Sequence, residues 1–132
     1  IYGFTLVEVM MAIVILGVAL LAFGGVTFYS MNQAAGADML TSATTLAMDQ
    51  VEKIKSLPYE DVISGEDENN PIDAAGQPGG HYTREWVVET DVPDDGTKTV
   101  NVTVSYTEQG KTESVSIVTI IAEPAGSEVV TP

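Results

Sequence analysis

Glu8 is the only charged side chain between Ile1 and Ala37, and it lies inside the apolar run FTLVEVMMAIVILGVALLAF from Phe4 to Phe23. A lone carboxylate in hydrocarbon costs about 3 kcal/mol, so this acid needs a partner or a place at an interface. The other candidates are weaker. Asp67, Glu68, Asn69, Asn70 and Asp73 offer the hard oxygens that calcium takes, with Asp67 and Asp73 the best placed, but their spacing departs from the EF-hand pattern. A solvated acidic loop explains them better. Asp94 and Asp95 are adjacent within a turn, where solvation accounts for them better than acid–base work. His81 is the sole histidine and stands beside two glycines; with no cysteine in the chain, the usual zinc sites are excluded. No phosphate-cradling glycine loop is present. Asn101-Val102-Thr103 satisfies the glycosylation triplet but falls in the middle of an expected strand. The residues compose no catalytic constellation, so the expectation is a chain without enzymatic activity, cofactor or metal.

The elements that carry these residues follow from composition and period. A chain of 132 residues has room for one domain, and its 19 Asp and Glu against 5 Lys and Arg give a formal net charge of −14. Such a surface repels phosphate backbones, and no nucleic-acid site is evident. The missing cysteines exclude a disulfide framework. The picture is an apolar head joined to an acidic, soluble body.

The head, residues 4–30, contains about 20 successive apolar residues, enough for a helix to cross a bilayer core of roughly 30 Å. A plain membrane anchor with a tolerated Glu8 is one reading of it. A cleavable signal fits poorly, because such h-regions are shorter and uncharged. The helix is expected to continue through 31–58. Met31, Ala35, Leu40, Ala43, Leu46, Ala47, Val51, Ile54 and Leu57 recur at helical steps as one apolar stripe, and Pro58 stops the pattern. From Phe4 to Leu57 it would run on the order of 80 Å. Gly17, Gly24 and Gly25 each cost about 1 kcal/mol against Ala in a helix interior. They serve either local unwinding or close helix–helix packing. Phe23, Phe28 and Tyr29 read as core-packing residues. Residues 59–80 form an acidic, Gly- and Pro-rich connection expected to be irregular and exposed. Residues 81–123 alternate as three antiparallel strands, turning at Pro93-Asp94-Asp95-Gly96 and at Glu108-Gln109-Gly110-Lys111. Trp86 reads as a contact from sheet to helix, and 124–132 as a short tail. The fold class is therefore α+β, with a protruding apolar half-helix and an amphipathic half packed on a small sheet.

Gly3-Phe4-Thr5-Leu6-Val7-Glu8 resembles the G-F-T-L-x-E segment that opens prepilin-type chains, the type IV pilins and the pseudopilins of type II secretion. The resemblance runs through the apolar helix and is looser beyond it. It implies a pilin fold, cutting between Gly3 and Phe4 by a prepilin peptidase, and N-methylation of Phe4. Glu8 then becomes the fifth mature residue, where the family carries its glutamate. In an apolar filament core the Phe4 amine and the Glu8 carboxylate are each costly alone and neutralise one another together. Between neighbouring subunits that pair would also set the assembly register. Family leaders carry basic residues ahead of the glycine, whereas only Ile1 and Tyr2 stand here. The expectation is that residues 1–3 are the remnant of a leader. Many pilins have a helix-breaking proline near Gly17–Gly25, and this chain has none there.

Leu57-Pro58-Tyr59-Glu60-Asp61, Arg84-Glu85-Trp86 and Val102-Thr103-Val104-Ser105-Tyr106 are similar to minor pilins of the pilus-modification type and to one class of minor pseudopilin. The resemblance implies a structural subunit of a type IV pilus serving adhesion, motility or DNA uptake. Its precursor would sit in the inner membrane and then enter an extracellular filament of copies and other pilins, built by an inner-membrane assembly platform. A secretion pseudopilin and a membrane-anchored binding domain that never polymerises remain the alternatives.

Overall fold

The computed structural model describes residues 2–126, apart from the Asn32 side chain. Ile1 and the last six residues of the expected tail lie outside them. Helix α1 spans Leu6–Lys55, and the chain divides within it into two compact units, residues 1–37 and 38–132.

In the second unit, α1 ends where the sequence removes its hydrogen-bond donors. Ser56 N–H still reaches the Glu52 and Lys53 carbonyls, and the Ser56 hydroxyl donates to Lys53 O at 2.6 Å. Pro58 has no N–H to continue the ladder. Lys53 and Lys55 occupy the last turn, where cations complement the carbonyl end of the helix dipole. The buried stripe is Ala43, Leu46, Ala47, Val51 and Ile54, joined by the buried amide of Gln50 and by half-buried Met39. Leu40 and Leu57, expected on that stripe, are about half exposed.

Opposite the stripe stands one antiparallel sheet of four strands in the order β1-β2-β3-β4: Gly65–Glu66, Tyr82–Thr90, Thr97–Glu108 and Lys111–Ala122. Alternation builds its inner face. Val100, Val102, Val104 and Tyr106 of β3 are buried, with Tyr82 of β2 beside them, its ring centroid 5.8 Å from that of Tyr106. Gln109 and Gly110 join β3 to β4 with positive φ of 49° and 80°, the turn whose twist suits a two-residue hairpin.

The connection before the sheet departs from expectation. It supplies the fourth strand, β1, which pairs Gly65 with Trp86 and Glu66 with Glu85. It also sends Val62 and Ile72 into the core, each 1% exposed. Ile72 exchanges backbone hydrogen bonds with Tyr82 at 2.7 and 3.0 Å. A Cβ on Gly80 would overlap the Ile72 carbonyl, so only glycine fits that approach.

Candidate functional site

In the first unit, Thr5 opens α1. Its carbonyl accepts from Val9 N–H and its Oγ1 from Glu8 N–H, both at 3.2 Å. Thr5 is thus the N-cap and Glu8 the third helical residue, the Thr-x-x-Glu spacing of a capping box. Phe4 precedes the cap, and Val9 follows Glu8. Phe4, Glu8 and Val9 line one shallow apolar concavity with Ala12, Ile13 and Leu16. A hydrophobic residue on each side of the cap is the arrangement of a hydrophobic staple. The carboxylate of Glu8 therefore sits at the amide end of the helix, where the dipole favours an anion, and at the margin of an apolar surface.

Beyond this cap the helix offers apolar side chains on every face. Leu6, Met11, Ile15, Leu20, Phe23, Phe28 and Met31 are all well over half exposed. The helix is long and apolar enough to cross a membrane. A helix that is apolar all round needs lipid or other helices about it. Gly17, Gly24 and Gly25 lie within unbroken helix, and a Cβ on any of them would meet open space. One turn after Phe23, the Thr27 hydroxyl donates to the Phe23 carbonyl at 2.9 Å, a competing bond that loosens helical backbone.

Two of the acids that could have served calcium, Asp67 and Asp73, hold the connection in place. Both carboxylate oxygens of Asp67 accept from the guanidinium of Arg84, Oδ2 from Nε at 2.5 Å and Oδ1 from Nη2 at 3.0 Å. The third arm, Nη1, donates to Leu46 O of α1 at 3.0 Å. Asn70 exchanges two hydrogen bonds with the backbone of the same arginine. Asp73 Oδ1 accepts the N–H groups of Ala75 and Gln77, closing its own turn. Among the described residues, no three His, Asp or Glu side chains gather where a metal could sit.

Lys98 ties down the start of the connection. Its Nζ donates to Tyr59 O at 2.7 Å and Val62 O at 3.0 Å, and lies 4.4 Å from the centre of the Tyr59 ring. Burial raises the Tyr59 hydroxyl pKa above its ordinary value, and Asp91 and Glu123 raise it further. Trp86 Nε1 donates to Ile63 O at 2.9 Å. Arg84 and Lys98, both buried, are the residues that sequence reasoning missed. The signal was present: in β2 and β3 they alternate in step with Tyr82 and Val100, on the face that turns inward. The other three of the five basic side chains, Lys53, Lys55 and Lys111, are exposed.

Residues 2–24 match the family described as the prokaryotic N-terminal methylation motif. The match supports the resemblance of this N-terminus to those of type IV pilins and pseudopilins. Neither curated proteins nor solved structures gave a match. The match ends ahead of the acidic body, and the similarity of the body to minor pilins rests on its sequence phrases alone.

Proposed function

We propose that the chain is a structural, non-enzymatic subunit of a type IV pilus, polymerising through its N-terminal helix into an extracellular filament. The observation that carries this reading is the helix surface from Leu6 to Met31, exposed on all faces and headed by the methylation motif. In the inner membrane, lipid covers that surface. Cutting between Gly3 and Phe4 gives Phe4 a free amine, which methylation leaves cationic.

In the filament, helices of other copies replace lipid. Lipid is as apolar as the helix, so burial gives little net drive; packing and charge pairing must supply it. The Phe4 amine of one subunit neutralises Glu8 of its neighbour, and a subunit seated out of register leaves two unpaired charges in an apolar core. The Gly17–Gly25 stretch yields locally as the subunit leaves the membrane. The acidic body keeps the polymer soluble.

Immunogold electron microscopy of intact cells, with antibody to the body, tests the reading. Label along the length of surface filaments is expected. Label confined to the cell envelope would instead favour a secretion pseudopilin or a plain anchored domain.

A further inference from the structure

The turn between β2 and β3, residues 91–96, holds the chain's single Asp-Gly step, Asp95-Gly96, and the sequence has no Asn-Gly step. That step is chemically weak for a steric reason. Glycine has no Cβ to shield its backbone nitrogen, so the Gly96 nitrogen can reach the side-chain carboxyl of the residue before it. When it attacks, a bond forms between the Gly96 nitrogen and Asp95 Cγ, and the amide hydrogen leaves with the carboxyl hydroxyl as water. The product is a succinimide ring. Water reopens the ring at either carbonyl, and opening at the main-chain carbonyl leaves the backbone running through Cγ, as isoaspartate.

The fold holds this nitrogen away from that reaction. Gly96 N–H donates to Asp91 Oδ1 at 3.0 Å, and Gly96 O accepts from Glu123 N–H at 2.8 Å. The glycine is thus pinned at both ends of its backbone. Attack on Cγ requires the nitrogen to give up its hydrogen, and the Asp91 carboxylate opposes that loss. A carboxylate strengthens the hydrogen bond it accepts and disfavours a second negative charge beside it. Asp91 reaches this position because its backbone is left-handed, at φ 59°, a conformation that Asp tolerates better than most residues. Its own N–H donates to Thr97 O at 2.8 Å, and Thr97 N–H donates to Asp94 O at 3.1 Å, so the turn closes around Asp95. Asp95 itself is exposed, and water is at hand to open a ring.

We infer that Asp95 is a modification site controlled by folding: it converts to isoaspartate in the unfolded chain, and the Asp91 carboxylate holds the reaction back in the folded body. The consequence is local and lasting. Isoaspartate inserts an extra carbon into the backbone ahead of Gly96, which displaces Gly96 O from Glu123 N–H. That bond lies just beyond the Thr97–Ala122 pair that ends the β3–β4 ladder. A chain left unfolded therefore carries a covalent mark that hinders closure of this turn.

The test incubates the full chain at neutral pH in detergent micelles, and in guanidinium as the unfolded reference. Isoaspartate at position 95 is counted by electron-transfer fragmentation of the peptides. The folded parent should react at least about tenfold more slowly than the unfolded chain, because a strong bond to a charged acceptor is seldom open. Asp91→Gly keeps the left-handed turn and removes the acceptor, and should react about tenfold faster than the folded parent. Thr99→Val breaks a different bond of the same turn, from the Thr99 hydroxyl to Val92 O at 2.7 Å, and should leave the parent's rate unchanged. Fluorescence of Trp86, the sole tryptophan, checks that each variant is folded. Equal rates in the folded and unfolded parent overturn the inference. So does a folded Asp91→Gly chain that reacts no faster than the parent, or a Thr99→Val chain accelerated as much as Asp91→Gly.

Discussion

Thr5 Oγ1 accepts the backbone N–H of Glu8 at 3.2 Å, so the residue proposed to offer a carboxylate for assembly is also the third residue of the helix that Thr5 caps. The motif thus does two physical jobs with the same side chains: it starts the helix and it places one anion at its head. Thr5→Val should remove the cap and cost about 1 kcal/mol of local stability. Hydrogen exchange in micelles would read this as roughly fivefold faster exchange at the Glu8 amide, with the body unchanged.

The two jobs of Glu8 separate by substitution. Glu8→Gln keeps a side chain able to complete a capping box and loses the charge, whereas Glu8→Val loses both. If charge pairing sets the register, both variants should fail to assemble while their bodies unfold at the same temperature as the parent. Normal filaments from Glu8→Gln would leave the helix start as the only role for this residue.

Arg84 joins β2 to Asp67 of the connection and to Leu46 of α1. Asp67→Asn leaves a buried guanidinium without its carboxylate and should cost about 3 kcal/mol, read as a lower thermal midpoint. Added calcium should restore nothing, because Asp67 serves an ion pair.

Tyr106 is buried between Glu108 and Glu113. Burial, then those carboxylates and Tyr82, raise its pKa, and Tyr59 is raised in the same direction. A raised folded pKa means that the folded chain holds its proton more tightly than the unfolded one. The contribution is complete below the ordinary tyrosine pKa of 10.0 and is lost as pH rises through the folded values. Stability measured by denaturant titration should fall above about pH 10, and Tyr106→Phe should flatten that fall.

Gly24→Ala and Gly25→Ala should each stabilise the helix by about 1 kcal/mol, since a Cβ there meets open space. If local unwinding accompanies extraction from the membrane, the double variant should accumulate in the membrane and yield fewer filaments. Unchanged filament numbers would remove the unwinding role.

Much of this was legible because long periods speak clearly. The helix reads from its unbroken apolar head and its 3- and 4-residue steps, which end at Pro58. β3 and β4 read from strict alternation across a Gln109-Gly110 turn. The connection was opaque for physical reasons. A two-residue strand such as β1 has no period, and the burial of Val62 and Ile72 depends on partners far away in sequence. Met39 replaces Leu40 on the stripe because the helix face is set by the sheet it meets. Arg84 and Lys98 were readable only by asking what inward-facing cations would bind. Their answers, a carboxylate and a set of carbonyls in the connection, explain how an acidic, proline-rich segment stays folded. Thr5-x-x-Glu8 likewise carries the spacing of a capping box in the sequence itself.

The most direct measurement is the intact mass of this protein in filaments sheared from the cell surface. A species beginning at N-methylated Phe4 is the expected result, and it would join processing and polymerisation in one observation. A chain found only in the membrane, with Gly3 still attached to Phe4, would contradict assembly through a free Phe4 amine.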